Sequence, residues 1–193
     1  MSEKYTKLPE NAFTALQMNA GIVCSGFTPA TGAASGIMGA TTGGVNFATN
    51  PTYEDFGEDV DNCPANMKEL KKLTSMDPTM SGTFLSVTAA LAKALVAAAD
   101  IDGSDTTKIV PRSELKSTDF TDIWWVGDYS DVNTGENAGF LAIHLKNALN
   151  QTGFQIQSTK NGKGQFSFEY HAHYELATQD EVPFEIYVKA GAA

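Results

Sequence analysis

Hydrophobic and polar residues alternate with a period of two along most of this chain, and a single stretch breaks into the helical period. The cleanest alternation lies near the C-terminus, where Phe166, Phe168, Tyr170, Ala172 and Tyr174 share one parity while Ser167, Glu169, His171, His173 and Glu175 share the other. That is the pattern of a strand with one buried and one wetter face. Further strands are expected at 14–27, 45–49, 75–85, 107–111, 123–129, 139–145, 154–157 and 184–188. The nearly unbroken apolar run 139–145 suits an interior strand. Met76, Met80 and Phe84 recur on one parity and are read as core, and Pro78 marks an edge or a bulge because proline cannot complete an interior ladder.

The helical period appears at 88–99, where Leu91, Leu95 and Ala98 fall on one stripe and Thr88 or Ser86 can cap the start. Lys93 is nearly its only polar residue, so a sheet, a neighbouring subunit or both must cover most of its surface. Small residues make 28–44 turn-prone, 130–137 reads as a turn, 100–105 as the turn that ends the helix, and 161–164 as a hairpin connection. Together these predict a mainly β protein: an antiparallel β-sandwich with one flanking α-helix, forming a single domain over 1–193. A doubly wound fold would need repeated helical crossovers, which the pattern lacks.

The alternation stops at 50–72. This long polar connection carries Glu54, Asp55, Glu58, Asp59 and Asp61, then Lys68, Lys71 and Lys72, with Tyr53 and Phe56 set among the acids. Connections of this length in a compact domain usually serve recognition or are mobile, solvated loops; the aromatic residues favour contact, being common beside polar ones at interfaces. A short helix is expected within it at 66–73.

Composition narrows the function. The 193 residues include 13 basic and 23 acidic ones, a formal charge of -10. Such an excess repels DNA and anionic lipid, so a basic groove gripping phosphates is not expected, whereas a channel passing nucleic acid without holding it would suit this sign. No stretch has the length of a membrane span or the character of a signal peptide, and synthesis in cytoplasm is expected. Cys24 and Cys63 are accordingly expected as thiols.

The chemical candidates are few. Glu169, His171 and His173 share a strand face and could approach one metal, with His144 as a conceivable third imidazole; the preferred reading is polar residues on the wetter face. The stretch 100–105 has acids spaced loosely like a calcium loop, but its glycine is displaced and no glutamate closes it. No hydrolase elbow, phosphate loop or zinc-protease helix occurs, so neither an enzyme nor a cofactor is expected. The carboxylates are numerous enough that a glycosidase pair stays open from sequence. A second reading is a monomeric β-sandwich module binding a ligand or carbohydrate on an exposed Trp124 or Trp125; adjacent residues alternate across a strand, so at most one of them should face the core.

Three segments carry a resemblance over nearly the whole chain: Asp55-Phe-Gly-Glu-Asp-Val-Asp-Asn-Cys-Pro64, then 73–99 with Met80-Ser-Gly-Thr83 before the alanine-rich helix, and Asp122-Ile-Trp-Trp-Val-Gly-Asp-Tyr-Ser130, continued by 139–147, 153–157 and 164–169. In these the chain resembles the major tail, or tail tube, proteins of long-tailed bacteriophages infecting Gram-positive bacteria. The resemblance implies a structural subunit of the virion tail, made in the bacterial host cytoplasm, whose copies form stacked hexameric rings around a channel that delivers DNA. It implies partners in itself and in other tail proteins such as the tape measure and the tail terminator, and none in membrane. It makes 50–72 the loop reaching an adjacent ring, with Tyr53, Glu54, Asp55, Phe56, Glu58, Asp59, Asp61, Lys68, Lys71 and Lys72 as assembly candidates. The N- and C-terminal segments would help to lock neighbours, and the helix would lie on the outer or inter-subunit side. Glu169 and Glu175 are candidates for facing the channel.

Overall fold

Residues of alternating polarity pair here almost wholly with antiparallel neighbours, and the order of pairing shows where the two layers meet. The computed structural model describes residue 12 and residues 16–129 and 138–191. Its elements are β1 (Gln17–Thr28), β2 (Ala33–Ile37), β3 (Thr41–Ala48), β4 (Pro51–Asp55), β5 (Lys71–Met76), β6 (Thr79–Phe84), α1 (Ala89–Val96), β7 (Ala99–Ile101), β8 (Ile109–Pro111), β9 (Thr121–Tyr129), β10 (Phe140–Asn150), β11 (Phe166–His171) and β12 (Phe184–Lys189). One layer runs β2-β1-β9-β10-β12 and the other β11-β6-β3. Strand β10 belongs to both. Its first half, Phe140 to Leu145, lies between β9 and β12, and its end, Leu149 and Asn150, pairs with β11. The switch falls at a register shift between Leu145 and Ala148, where Asn147 takes φ 49°. A strand that bends at a bulge to change sheets is how sandwich corners are made. The fold is thus mainly β, antiparallel and sandwich-like with one helix, as expected.

The facing sides build the core. Val23, Ile123, Trp125, Ile143 and Leu145 from the first layer meet Met80, Phe84, Phe166, Phe168 and Tyr170 from the second, and Leu91 and Leu95 of α1 close the cluster. Phe84 and Phe168 stack with centroids 4.5 Å apart. The back of the first layer carries a second cluster of Cys24, Phe27, Trp124, Phe140 and Ala142. Pairing of β1 with β9 ends at Cys24 opposite Trp124, yet the Phe27 ring lies 5.0 Å from Phe140, a residue level with Asp128 near the other end of β9. The β1–β2 hairpin therefore folds back over this face. Both tryptophans are consequently buried, on opposite sides of β9. The expectation that at most one would face the core holds for the main core, but a second apolar cover takes the other.

Several local expectations need correction. The turn-prone stretch 28–44 contains β2 and the start of β3. Strand β2 is exposed throughout and rich in small residues, so no alternation announces it; backbone pairing to β1 holds it, and the strands approach so closely that a Cβ on Gly26 would lie 2.6 Å from Ser35 Oγ. The expected strand 75–85 divides at Asp77-Pro78. Pro78 is buried in the break, its carbonyl accepting the Ala172 N–H at 3.0 Å, and β6 beyond it is interior, paired with both β3 and β11. The stretch 66–73 forms no helix; its end enters β5. The stretch 154–157 contributes only an isolated bridge, Gln157 to Gln165. Strand β11 ends at His171, so Tyr174 and Glu175 lie beyond it, with Tyr174 exposed. The turn-rich 130–137 lies outside the described residues, as do the first residues of the strand expected from position 14.

The helix is shorter than its periodicity implied. Thr88 caps it, its hydroxyl accepting the Leu91 N–H at 3.2 Å, and Leu91, Ala92 and Leu95 face inward. It stops at Ala97, which takes φ 69° and ψ -76°, the strained tight-turn region, with the Ala98 N–H reaching back to the Val96 carbonyl at 3.1 Å. Ala99, fully buried, then starts β7 against β8. Tertiary pairing overrides the helical preference of alanine here. The acids that loosely imitated a calcium loop close the β7–β8 turn instead: the Ser104 hydroxyl and N–H, with Lys108, hold Asp102 at a pKa of about 2, and Asp105 accepts the Thr107 N–H at 3.0 Å.

Candidate assembly surface

The long polar connection is a β-hairpin arm. Its limbs β4 and β5 pair with Tyr53 opposite Leu73, Glu54 opposite Lys72 and Asp55 opposite Lys71, and they form a separate two-stranded sheet. Alternating polarity is weak in 51–55 and 71–74 because both faces of this ribbon meet solvent, which is why the sequence pattern predicts no strand there before position 75.

Asp55 closes the neck of the tip. One carboxylate oxygen accepts the Gly57 N–H at 2.9 Å and the other the Asn66 N–H at 2.8 Å. These two bonds, Gly57's foremost, hold the Asp55 carboxyl below the ordinary carboxylate range. Phe56 N–H donates to the Leu70 carbonyl at 3.1 Å, and two tight turns, Val60 to Gly57 and Cys63 to Val60, wind the tip between them. Gly57 sits close under the tip: a Cβ there would lie 2.9 Å from Leu70 Cδ1 and 3.0 Å from Cys63 Sγ, so these side chains would have to shift to admit one. Cys24 and Cys63 are both free thiols, Cys63 lying 3.4 Å from Met67 Sδ.

The arm displays apolar surface. Tyr53 is 56 % exposed, Phe56 52 %, Val60 53 % and Leu73 48 %. The Lys71 ammonium lies 5.7 Å from the Tyr53 ring and that of Lys72 5.2 Å from the Phe56 ring, so the lysines steady the aromatics as much as they offset the acids. Among the described residues Lys68 pairs with its neighbour Glu69 alone, at 3.6 Å and largely in solvent, a contact of little energetic weight. Glu58, Asp59 and Asp61 form no ion pair among the described residues and stand exposed at the tip. The sequence candidates thus fall on one appendage. Reading from sequence omitted its apolar members Val60, Met67 and Leu73; their only signal was hydrophobicity isolated within a polar stretch.

The root of the arm uses the histidine that sequence had singled out. Asn50 donates through Nδ2 to the Asp77 carbonyl at 3.1 Å, and His171 lies between Asp77, 3.0 Å from Nδ1, and Glu169, 3.3 Å from Nε2. His173 turns away, its Nδ1 3.0 Å from the Asn147 carbonyl, and His144 stacks on Trp124 at 3.9 Å. The histidines and Glu169 therefore do not converge, and no group of three or more potential ligands among the described residues could hold a metal ion. Glu169, half-buried, is engaged at this root, while Glu175 is exposed beyond the strand, so the two acids proposed for a channel wall do not share one strand.

The chain matches no known protein-family model and no curated protein sequence. No helix among the described residues is long and apolar enough to cross a membrane.

Proposed function

We propose that the chain is a self-assembling structural subunit whose copies stack as hexameric rings into the tube of a bacteriophage tail, through which DNA is delivered. One observation carries the self-association: the β4–β5 arm holds Tyr53, Phe56, Val60 and Leu73 about half in solvent, on a ribbon in which each limb has, among the described residues, no strand partner but the other. A lone two-stranded hairpin is marginal in water, and an exposed apolar patch on a projecting element calls for a covering surface. Closed rings with axial stacking need two different surfaces on one protomer, and an arm is a means of reaching the second. The choice of a phage tail among assemblies rests on the resemblance in 55–64, 73–99 and 122–130. The net charge of -10 accords with a conduit to which DNA does not adhere. In this reading the tape measure and tail terminator proteins are further partners, the location is the virion tail, and no catalysis or cofactor is involved.

The carbohydrate-module reading needed an exposed tryptophan platform. Trp124 and Trp125 are 7 % and 8 % exposed, which leaves that reading without its surface.

Negative-stain electron microscopy of concentrated protein tests the proposal. Rings or tubes are expected, and Tyr53→Ser with Phe56→Ser should leave the fold intact while shortening or abolishing them. A chain that stays monomeric in concentrated solution and alongside purified tail-tip components would sink the assembly reading.

A further inference from the structure

The connection between Gln157 and Gln165 carries a chemically reactive pair, Asn161 and Gly162. An asparagine carboxamide can be attacked by the backbone nitrogen of the residue that follows it, and glycine, lacking a Cβ, obstructs that attack least. Asn161 is the only asparagine of the chain that precedes glycine. The others are placed less well. Asn50 precedes Pro51, which has no N–H, and Asn19 donates to the Asp128 carboxylate at 2.7 Å. Asn150 is buried, and both ends of its carboxamide are engaged: Nδ2 donates to the Leu95 and Gly153 carbonyls at 2.7 and 3.0 Å, and Oδ1 accepts the Glu169 N–H at 2.9 Å and the Thr152 hydroxyl at 3.1 Å.

The fold leaves this pair open. Residues 154–163 are all exposed, and the Asn161 carboxamide forms no hydrogen bond among the described residues. The turn 159–162 closes on one backbone bond, from the Gly162 N–H to the Thr159 carbonyl at 3.1 Å, with Asn161 at φ 60° in the place where a turn favours asparagine or glycine. Opening that bond releases the Gly162 nitrogen and uncovers no core, because the turn buries nothing. Asp102, which precedes Gly103, shows the protected alternative. Its Oδ1 accepts the Ser104 N–H and hydroxyl at 2.9 and 2.7 Å, and its Oδ2 meets the Lys108 ammonium at 3.2 Å, so the carboxyl is fixed in place and ionised, a form that a backbone nitrogen does not attack.

We infer that Asn161 is a site of spontaneous deamidation in the folded chain. The Gly162 nitrogen, its proton lost to a solvent base, attacks Asn161 Cγ; the new N–Cγ bond forms as the Cγ–Nδ2 bond breaks, and Nδ2 leaves as ammonia with protons taken from water. A water molecule then opens the cyclic imide at one of its two carbonyls, giving aspartate or isoaspartate. Either product sets a carboxylate between Lys160 and Lys163, which form no ion pair among the described residues, in a stretch, 147–168, that otherwise contains no acid. Isoaspartate also adds a methylene to the backbone of the turn. The pairing next to it, Gln157 and Gln165 exchanging N–H to carbonyl bonds of 2.9 Å, would feel that extra length first. This modification is independent of the assembly reading.

The test incubates the full chain in mildly alkaline buffer at physiological temperature, beside a synthetic peptide of residues 157–165. Peptide mass mapping follows each asparagine, and methyl transfer by an isoaspartate-specific methyltransferase reports the rearranged product. Asn161 should convert ahead of every other asparagine, at a rate within about tenfold of the peptide's, since only the turn has to open. Gly162→Ala should slow the conversion by about tenfold or more, because a Cβ then crowds the attack. Asn161→Gln, which keeps the carboxamide but disfavours ring closure, should abolish the methyl transfer at this position. In aged protein the Gln157 and Gln165 amides should lose protection while those of β10 keep theirs. A folded chain that reacts more slowly than that margin allows, an earlier conversion at another asparagine, or a peptide that does not react would each overturn the inference.

Discussion

His171 Nδ1 lies 3.0 Å from the Asp77 carboxylate, so strand β11 of the body holds the residue at which β5 gives way to β6. The arm is thereby fixed in direction by a side chain remote from it in sequence. Replacing His171 with Ala should cost the body only about 0.5 kcal/mol, since Asp77 is largely in solvent and such contacts are weak there. Amide exchange across 51–76 should nevertheless quicken while that of β9 and β10 stays slow. Equal acceleration in body and arm would contradict this role.

Asp55 gives the tip a pH dependence of definite sign. Its carboxyl in the folded arm titrates below its ordinary value because the Gly57 and Asn66 N–H groups bind the charged form. Its contribution is therefore fully present above the unfolded value, near about 4, and is lost as pH falls through the lower folded value. Protection of the Gly57 and Asn66 amides, measured by NMR as exchange relative to the intrinsic rate at each pH, should fall in that window. In Asp55→Ala the same amides should lack that protection at every pH.

Asn150 satisfies four groups from one buried position, among them the Leu95 carbonyl of α1 at 2.7 Å. Asn150→Leu strands the Leu95 carbonyl and the Glu169 N–H in the interior. A loss of about 3 kcal/mol is expected by urea unfolding, on a scale of 1–3 kcal/mol for each buried group left unpaired. Asn150→Asp should also destabilise, because it removes both donors and brings a charge into the interior.

Ala97 occupies backbone space with φ 69° and ψ -76° that a Cβ disfavours. Ala97→Gly should raise stability by about 1 kcal/mol, the strain relieved exceeding the added flexibility of the unfolded chain. A lowered thermal midpoint would show that this turn is not strained.

Legibility from sequence followed burial. Strands with one face on the core, such as β11 with Phe166, Phe168 and Tyr170 inward, announce themselves by alternation. So does the start of α1, through Thr88 and the Leu91–Leu95 spacing. Elements bound chiefly by backbone pairing left no such trace: β2 is exposed along its length, and β4 and β5 wet both faces. The end of α1 was hidden for another reason, since alanines favour helix intrinsically and only the pairing of Ala99 with Pro111 turns them aside. The candidate arm was legible as a polar, aromatic-bearing interruption, but its root was not, because Asn50, Asp77 and His171 are brought together by the fold alone. Nor was the state of the Tyr170 hydroxyl, which has no hydrogen-bond partner among the described residues: that is a property of its surroundings, and from sequence the residue is simply core.

The strand shared between the layers has a mechanical meaning. In a sandwich of two independent sheets, a sideways load is resisted only by side chains sliding over one another. Here β10 passes from one layer to the other as continuous backbone, with its Leu145 to Ala148 bend as the corner. A pull on β12 passes through its ladder to β10, along the covalent backbone of β10 and through the Leu149 and Asn150 pairs to β11, so the layers cannot shear apart until one of those ladders opens.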